Sequence, residues 1–502
     1  MGMKVYQMIM PFLMRTAMIN VMGVEYLGLN GLFASILQVL NLMELGVGSA
    51  MVFSMYKPIA EDDSSTICAL MRLYRKYYRI IGLGIGVIGL LLTPAVPMLI
   101  SGSIPSELNI YVLYLLNLGA TVLTYWLFAY KNCLFQAYQR SDMISKITLL
   151  TNTIQYILQF LLLFTFRNYY LYVIVTLGAQ ALNNIITAVA AGKMYPEYKP
   201  VGTLSQEVTK GINRRVLDLF TGKFGAIILK SSDTIVISAF LGLSVLAVYQ
   251  NYFFMVSSVI GVVEILLQSI TAGLGNSFLT ETKEKNYADL KKFSFLLLWL
   301  TGVFTCCFLG MYQPFMEMWV GQELMLEYSA VIFFAIYFFI YTLNRLLNVY
   351  KDAAGLWHED RFRPLVTALV NLTLNLLWVR CWGIYGVVLS TVVSMVFVGM
   401  PWVLHNLFTL FFDRCWLKSY LRQLLTHVAL TVLSGSIVAV ICAHMHLPPW
   451  MGLITGGIFS VVIPNLLFYV ALGRTSQFDG AMNFVNGITK RLIRLNKKER
   501  NE

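Results

Sequence analysis

Residues 218–240 read DLFTGKFGAIILKSSDTIVISAF, an apolar run that nonetheless contains Lys223, Lys230 and Asp233. About 20 apolar residues are enough to cross a hydrocarbon core of roughly 30 Å, so this stretch predicts a transmembrane helix. Because an α-helix has 3.6 residues per turn, the two lysines lie two turns apart on one face. Their charges are therefore expected to face a cavity or a partner rather than lipid.

The rest of the chain has the composition of an integral membrane protein. Of its 502 residues 58% are hydrophobic and only 12% are charged, whereas a typical soluble domain has roughly 25% charged residues. The pattern predicts an all-α polytopic membrane protein with about 14 transmembrane helices joined by short connections. The predicted spans are 3–22, 30–55, 77–100, 109–136, 143–165, 169–192, 214–240, 244–278, 292–312, 328–350, 362–380, 383–410, 420–443 and 450–472.

The net charge of +12 has a topological explanation. Two basic residues, Arg167 and Arg380, lie at the predicted outer side and four lie well inside spans, which leaves 31 of the 37 Lys and Arg in the inner loops, at the inner ends of spans or in the termini. Such an asymmetry is the positive-inside rule. We therefore expect both termini in the cytoplasm and no nucleic-acid partner.

The longest break in the apolar pattern of the first half, residues 192–215, divides six predicted spans from eight. The two sides partly repeat, since Gly23 is matched by Gly242 and Glu44 by Glu264 at nearly the same spacing. Parallel repeats of this kind predict two pseudo-symmetric lobes with a cavity between them. The predicted parts are an N-terminal lobe at 1–192, a linker at 193–213, a C-terminal lobe at 214–412, two further spans at 413–473 and a basic tail at 474–502.

Nothing in the sequence indicates an enzyme. The loops leave no room for a folded catalytic domain, and no Ser, His and Asp arrangement stands out. The seven cysteines have no CxxC spacing, so neither a disulfide framework nor a structural metal is predicted. The glycine pattern GIGVIG at 84–89 lies inside a span without a preceding strand, which favours close helix packing over a cofactor loop.

Ionisable residues within the spans are the candidates for function. Each one near a helix centre costs about 2.5 to 3.5 kcal/mol on insertion, so such residues normally face a cavity or a partner. The predicted substrate-binding set is Arg15, Lys223, Lys230, Arg345, Glu44 and Glu264. Cations from paired lobes would attract phosphate. The alternatives are a Lys230–Asp233 ion pair within one helix, and snorkelling of Lys223 and Arg345 towards the nearby membrane surface.

A second cluster provides oxygen atoms. Asp233 in span seven, Asn371 and Asn375 in span eleven and Ser394 in span twelve form a candidate site for a coupling cation, sodium or proton. The alternative is ordinary hydrogen bonding between transmembrane helices, which residues of these types often make.

Three stretches carry a resemblance to a known family: PFLMRTAMINVMGVEYLGLNGLF at the start of 11–63, SSDTIVISAFLGLSVLAVYQNY at 231–252 and YKDAAGLWHEDRFRPLVTALVNLTLNLLW at 350–378. These residues resemble the Wzx-type polysaccharide flippases of the multidrug/oligosaccharidyl-lipid/polysaccharide (MOP) superfamily. The resemblance covers nearly the whole chain, although Lys223 matches no motif of the family.

The resemblance implies a fourteen-helix, two-lobed, MATE-like fold in the bacterial cytoplasmic membrane. It implies alternating access that moves undecaprenyl-diphosphate-linked oligosaccharide repeat units to the outer leaflet, for capsule, exopolysaccharide or O-antigen synthesis. Expected partners are the lipid-linked glycan, membrane lipids, and a polysaccharide polymerase and glycosyltransferases. Two other functions stay open: a cation-coupled multidrug exporter of the same fold, and a non-transporting scaffold for polysaccharide assembly.

The basic C-terminal segment has apolar residues at helical spacing. Phe484, Val485 and Ile488 begin this pattern, and most of the lysines and arginines lie elsewhere on the helix. An amphipathic helix on the inner membrane surface is expected; the alternative is a solvated, fraying tail.

Overall fold

A computed structural model describes residues 2–44, 46–102, 104–445 and 447–499. This part of the chain is almost entirely helical and contains no strand. The side chains of Lys230 and of residues 488–499 lie outside the described set.

Ten helices among the described residues are long and apolar enough to cross a membrane, or up to eleven if one bent pair is a single span. The chain is therefore an all-helical, multi-pass membrane protein. The predicted first and second spans are not among the ten, and the run Arg363–Phe411 covers two predicted spans as one. The count of fourteen stays a prediction.

The chain forms two compact units, residues 1–251 with 361–387, and residues 252–360 with 388–502. The predicted lobe boundaries stay a prediction. Two long helices, α10 (Leu243–Thr280) and α13 (Arg363–Ser394), contribute to both units. The other helices of the first unit are α1 (Gly2–Val21), α2 (Val24–Leu40), α3 (Val47–Ala60), α4 (Ser64–Leu92), α5 (Ile110–Trp126), α6 (Asn132–Ala137), α7 (Ser141–Phe166), α8 (Tyr169–Met194) and α9 (Gln206–Leu241).

The second unit packs around one long central helix, α11 (Lys283–Val320). Gly310 in α11 lies against Gly456 in α16 (Pro449–Leu472), where a Cβ added to Gly456 would come within 2.3 Å of the Gly310 carbonyl oxygen. Glycine pairs let transmembrane helices approach this closely. The other helices of this unit are α12 (Tyr328–Ala353), α14 (Met400–Asn406), α15 (Arg414–Ala443) and α17 (Ser476–Glu499).

The two repeat glycines of the sequence lie where consecutive helices meet. Gly23 separates α1 from α2 with φ of 116°, and Gly242 separates α9 from α10 with φ of 93°. Both values are in the region that favours glycine because a side chain would be strained there.

The predicted second span is not one continuous helix. The α2 helix ends at Leu40, a 3₁₀ turn covers Asn41–Glu44, and α3 begins at Val47. Gly46 has a left-handed φ of 87°, which ends the helical path at low cost because glycine has no Cβ. The predicted span 30–55 is therefore interrupted, and Glu44 lies in the break.

The predicted fourth span is broken as well. The α5 helix ends at Trp126, and Phe128 has a φ of 60° that is uncommon for a residue with a side chain. The axis bends by 49° between Ile110–Trp126 and Ala129–Ala137.

The basic C-terminal segment is helical, and its first turns pack on α11. Ala481 is buried beside Phe295, and the ring of Phe484 lies 5.2 Å from that of Phe293, centroid to centroid. The location of this helix at the membrane surface stays a prediction, since Ile488 and the basic residues beyond it lie outside the described side chains.

Candidate functional site

Glu44 is held by tyrosine hydroxyls from two neighbouring helices. Tyr78 of α4 donates to Glu44 Oε1 at 2.5 Å, and Tyr125 of α5 donates to Oε2 at 2.7 Å. Tyr74, one turn before Tyr78, donates in turn to the Tyr78 hydroxyl at 2.7 Å. Hydrogen bonds to a carboxylate are about twice as strong as neutral ones, so these phenols fix the acid in place.

The break in the fourth span lies beside this carboxylate. Asn184 of α8 donates its side-chain N–H to the Thr124 carbonyl at 2.9 Å, and the Phe128 N–H bonds to the Trp126 carbonyl instead of continuing the helix. A backbone group released inside a membrane needs such a partner. Because Tyr125 lies one residue after Thr124 and contacts Glu44, the two helix breaks meet at one point.

Lys223 lines a cavity next to Glu44. The main cavity has a volume of about 450 Å³, and its walls include Gln38, Asn41, Glu44 and Lys223. Lys223 donates to the Ser49 hydroxyl at 2.9 Å, and no carboxylate among the described residues forms an ion pair with it. This wall therefore presents a cation that no described acidic residue neutralises in an ion pair.

A smaller side cavity adjoins the main one. It has a volume of about 240 Å³ and shares Glu44, Tyr78 and Asn132 with the main cavity. Both cavities lie within the first unit.

Three of the four predicted ion-site residues lie together in the first unit. Asn375 donates to Asp233 Oδ1 at 2.7 Å and to Asn371 Oδ1 at 3.3 Å, and Ser232 donates to Asn371 Oδ1 at 3.1 Å. All four side chains are buried. Within the described residues, no group of three or more His, Cys, Asp or Glu could hold a metal ion.

The remaining predicted residues are elsewhere. In the second unit Arg345 forms an ion pair with Glu264, Nε to Oε1 at 3.1 Å, and Ser394 donates to the Thr391 carbonyl at 3.0 Å. In the first unit Arg15 donates to Asn251 Oδ1 at 2.9 Å.

The Lys230 side chain lies outside the described residues, so its predicted pairing, with Asp233 or with substrate, stays a prediction.

Sequence reasoning missed the partners of the acid. Tyr78 and Tyr125, which donate to Glu44, and Asn132, which lines the same cavity, are residue types that occur commonly in membrane helices. A usable signal was present: Gly46 and Gly48 lie two and four residues after a glutamate in the middle of a predicted span, and glycines close to an intramembrane charge are typical of an unwound segment.

This chain is similar to known proteins in its three-dimensional structure. No protein-family model and no curated protein matches the sequence. The lipid II flippase MurJ in an inward closed conformation matches with a TM-score of 0.66 and 14% identity over 94% of this chain and 99% of that one. This chain has the MOP fold.

Two further MOP-fold structures agree. An inward-facing multidrug resistance MATE family transporter matches with a TM-score of 0.61 and 14% identity over 79% of this chain and 93% of that one. A MOP superfamily transporter from Pyrococcus furiosus, for which a reverse polarity of the binding pocket is described, has a TM-score of 0.51 and 14% identity over 80% of this chain and 92% of that one. At such low identity the likeness concerns the fold.

Proposed function

We propose that this protein is a flippase of the bacterial cytoplasmic membrane. It moves undecaprenyl-diphosphate-linked oligosaccharide repeat units from the inner to the outer leaflet by alternating access, for surface polysaccharide synthesis. The observation that carries the proposal is Lys223, a cation without an acidic partner among the described residues, on the wall of a 450 Å³ polar cavity in a membrane-spanning unit. The MOP fold and the resemblance to Wzx-type proteins support it.

The chemistry of the substrate fits this cavity. A polyprenyl diphosphate has a tail that stays in the lipid, a diphosphate that carries negative charge, and sugars that do not cross a bilayer unaided. A lysine binds phosphate as a compact charge with three donors. Glu44 lines the same cavity, but both of its carboxylate oxygens accept hydrogen bonds from phenols, which reduces its repulsion of the diphosphate.

A coupling cation is the second part of this proposal. Asp233, Asn371 and Asn375 would supply oxygen ligands to sodium once the Asn375 amide turns its oxygen towards the site, since its N–H now points at Asp233. Sodium should then raise the melting temperature of the purified protein, whereas potassium at equal ionic strength should not. Asp233→Asn should abolish the difference. An equal response to the two salts would contradict sodium binding.

Deletion in the host separates the candidate functions. A flippase deletion should make undecaprenyl-linked repeat units accumulate on the cytoplasmic face and should abolish the surface polymer. An acidic residue in the cavity, Glu44, would suit an exporter of cationic drugs. If the protein is such an exporter, the deletion strain should keep its polymer and become more sensitive to cationic dyes. If the protein is a non-transporting scaffold, a variant such as Lys223→Gln with normal membrane abundance should still support polymer formation.

Lys223→Gln tests the site itself. Loss of a charged hydrogen bond to phosphate costs about 1.5 to 3 kcal/mol, so flipping should fall roughly tenfold or more, and Lys223→Arg should retain part of the activity because the charge remains. Lys210→Gln, an exposed lysine of the same helix, is the matched control and should be neutral. Wild-type flipping by Lys223→Gln at equal membrane abundance would remove this lysine from the substrate site.

A further inference from the structure

We propose that the side cavity is the binding site for the sugar attached directly to the diphosphate, and that it selects an uncharged sugar. The inference rests on the proposed function, because it assumes a diphosphate-linked glycan in the main cavity. It adds the place and the chemistry of sugar recognition.

The position of the side cavity suits such a sugar. The two cavities share Glu44, Tyr78 and Asn132, so a molecule whose diphosphate lies against Lys223 has a neighbouring space for the next group. Its volume of about 240 Å³ is slightly below the roughly 300 Å³ at which drug-sized ligand pockets begin. That is room for a single ring rather than a whole repeat unit.

The lining offers hydrogen-bonding groups, and one of them is unused. Asn132 Oδ1 is buried and has no hydrogen-bond partner among the described residues, and Thr187, which carries a hydroxyl, also lines the cavity. Buried polar atoms are nearly always paired, so an orphan acceptor in a cavity wall calls for a donor from a ligand or water. Sugar hydroxyls are such donors.

The remaining wall also matches a sugar ring. Tyr125 and Phe128 line the cavity and provide aromatic surface for the C–H face of a pyranose. Asn183 and Asn184 add amide groups on the opposite helix, α8. Phe128 has the left-handed φ of 60° that sets the break in span four, a conformation that tends to occur at functional sites.

The charge of the lining sets the selectivity. Glu44 is the one charged residue among those that line the side cavity, and no Lys, Arg or His lines it. A uronic acid would bring a second carboxylate next to Glu44 without a cation to compensate, and like charges at close range repel. A neutral hexose or an N-acetylated amino sugar avoids this penalty.

The test measures binding of three synthetic lipids to the purified full-length protein. Each is a short-chain polyprenyl diphosphate, capped by N-acetylglucosamine, by glucuronic acid or by a methyl ester that keeps the diphosphate charge. The variants are Thr187→Val and Asn132→Leu. The matched control is Thr455→Val, which removes a hydroxyl from α16 in the second unit.

We expect the N-acetylglucosamine lipid to bind at least about fivefold more tightly than the other two. Loss of one hydrogen bond should weaken its binding roughly three- to tenfold in Thr187→Val and in Asn132→Leu. Binding of the methyl-capped lipid should stay unchanged in Thr187→Val, whose side chain lines the side cavity but not the main one, and this also shows that the variant is folded. Thr455→Val should behave as wild type.

The opposing outcomes are distinct. If wild-type protein binds none of the three lipids, the proposed function fails and the sugar site with it. If the methyl-capped lipid binds as tightly as the sugar-bearing one, or Thr187→Val weakens binding of both equally, the cavity holds only water and the sugar site fails while the proposed function stands. Equal binding of the glucuronic acid lipid would overturn the selectivity.

Discussion

At the scale of single residues, Glu44 shows how tyrosine hydroxyls hold an acidic side chain in a segment that the sequence predicts to be a membrane span. An ionisable side chain near the middle of a span costs about 2.5 to 3.5 kcal/mol on insertion. A hydrogen bond to a charged group contributes about 1.5 to 3 kcal/mol, so the hydroxyls of Tyr78 and Tyr125 offset that cost between them. Lys223 donates to the neutral Ser49 hydroxyl and forms no ion pair with a described carboxylate, which leaves more of its charge available to a ligand.

Tyr125→Phe should therefore destabilise the protein. It removes one donor to Glu44, and we expect the free energy of unfolding to fall by about 1.5 to 3 kcal/mol. Tyr111→Phe, at an exposed position of the same helix, should change it by less than about 0.5 kcal/mol. Reversible denaturation of the purified protein in detergent measures both. Equal stability of the two variants would mean that the phenol contributes nothing to holding the carboxylate.

At the scale of elements, glycines decide where helices end and how closely they pack. Gly46 ends the second span's helical path beside Glu44 with its left-handed φ. In α9, the helix that carries Lys223, Gly225 lies so close to the start of α13 that an added Cβ would come within 2.3 Å of the Pro364 carbonyl carbon. This contact lies within the first unit and fixes the helix two residues from Lys223.

Gly225→Ala should be destabilising although alanine is the better helix former. The methyl group would overlap backbone atoms that cannot rotate away, and overpacking of this kind costs about 1 to 3 kcal/mol. Gly211→Ala, in the same helix with nothing within 4 Å of its added Cβ, should instead stabilise by up to about 1 kcal/mol. Melting temperatures that rise in both variants would show that α9 and α13 do not pack this closely.

At the scale of the whole molecule, the apolar composition and the MOP fold describe an all-helical, multi-pass membrane architecture. The predicted orientation of the chain in the membrane follows from the distribution of its basic residues, because 31 of the 37 lie on the side of both termini. Gln322, in the turn after α11, belongs to a predicted outer loop, whereas Glu207, at the start of α9, belongs to the predicted cytoplasmic linker.

Labelling of single cysteines tests this orientation. In a cysteine-free background, Gln322→Cys should react with a membrane-impermeant thiol reagent in sealed cells, and Glu207→Cys should react only after permeabilisation. Both positions are exposed, so a lack of reaction would not come from burial. Labelling of Glu207→Cys in sealed cells would contradict this orientation and would indicate that the linker and both termini lie outside.

The sequence by itself determined the membrane class, the helical content and the set of intramembrane charges. These depend on composition and on local apolar runs, which are properties of consecutive residues. The sequence also provided four candidate residues for a cation site. Three of them, Asp233, Asn371 and Asn375, lie together in the first unit.

Only the tertiary structure decided which charges face a cavity. Glu44 and Lys223 are far apart in sequence, and the wall that they share depends on how α2, α3 and α9 pack. The breaks in spans two and four were not predicted, because an apolar window reports hydrophobicity and not the backbone path. Whether a helix continues through a glycine or ends there depends on neighbours, such as Asn184 at the Thr124 carbonyl, that only the folded chain supplies.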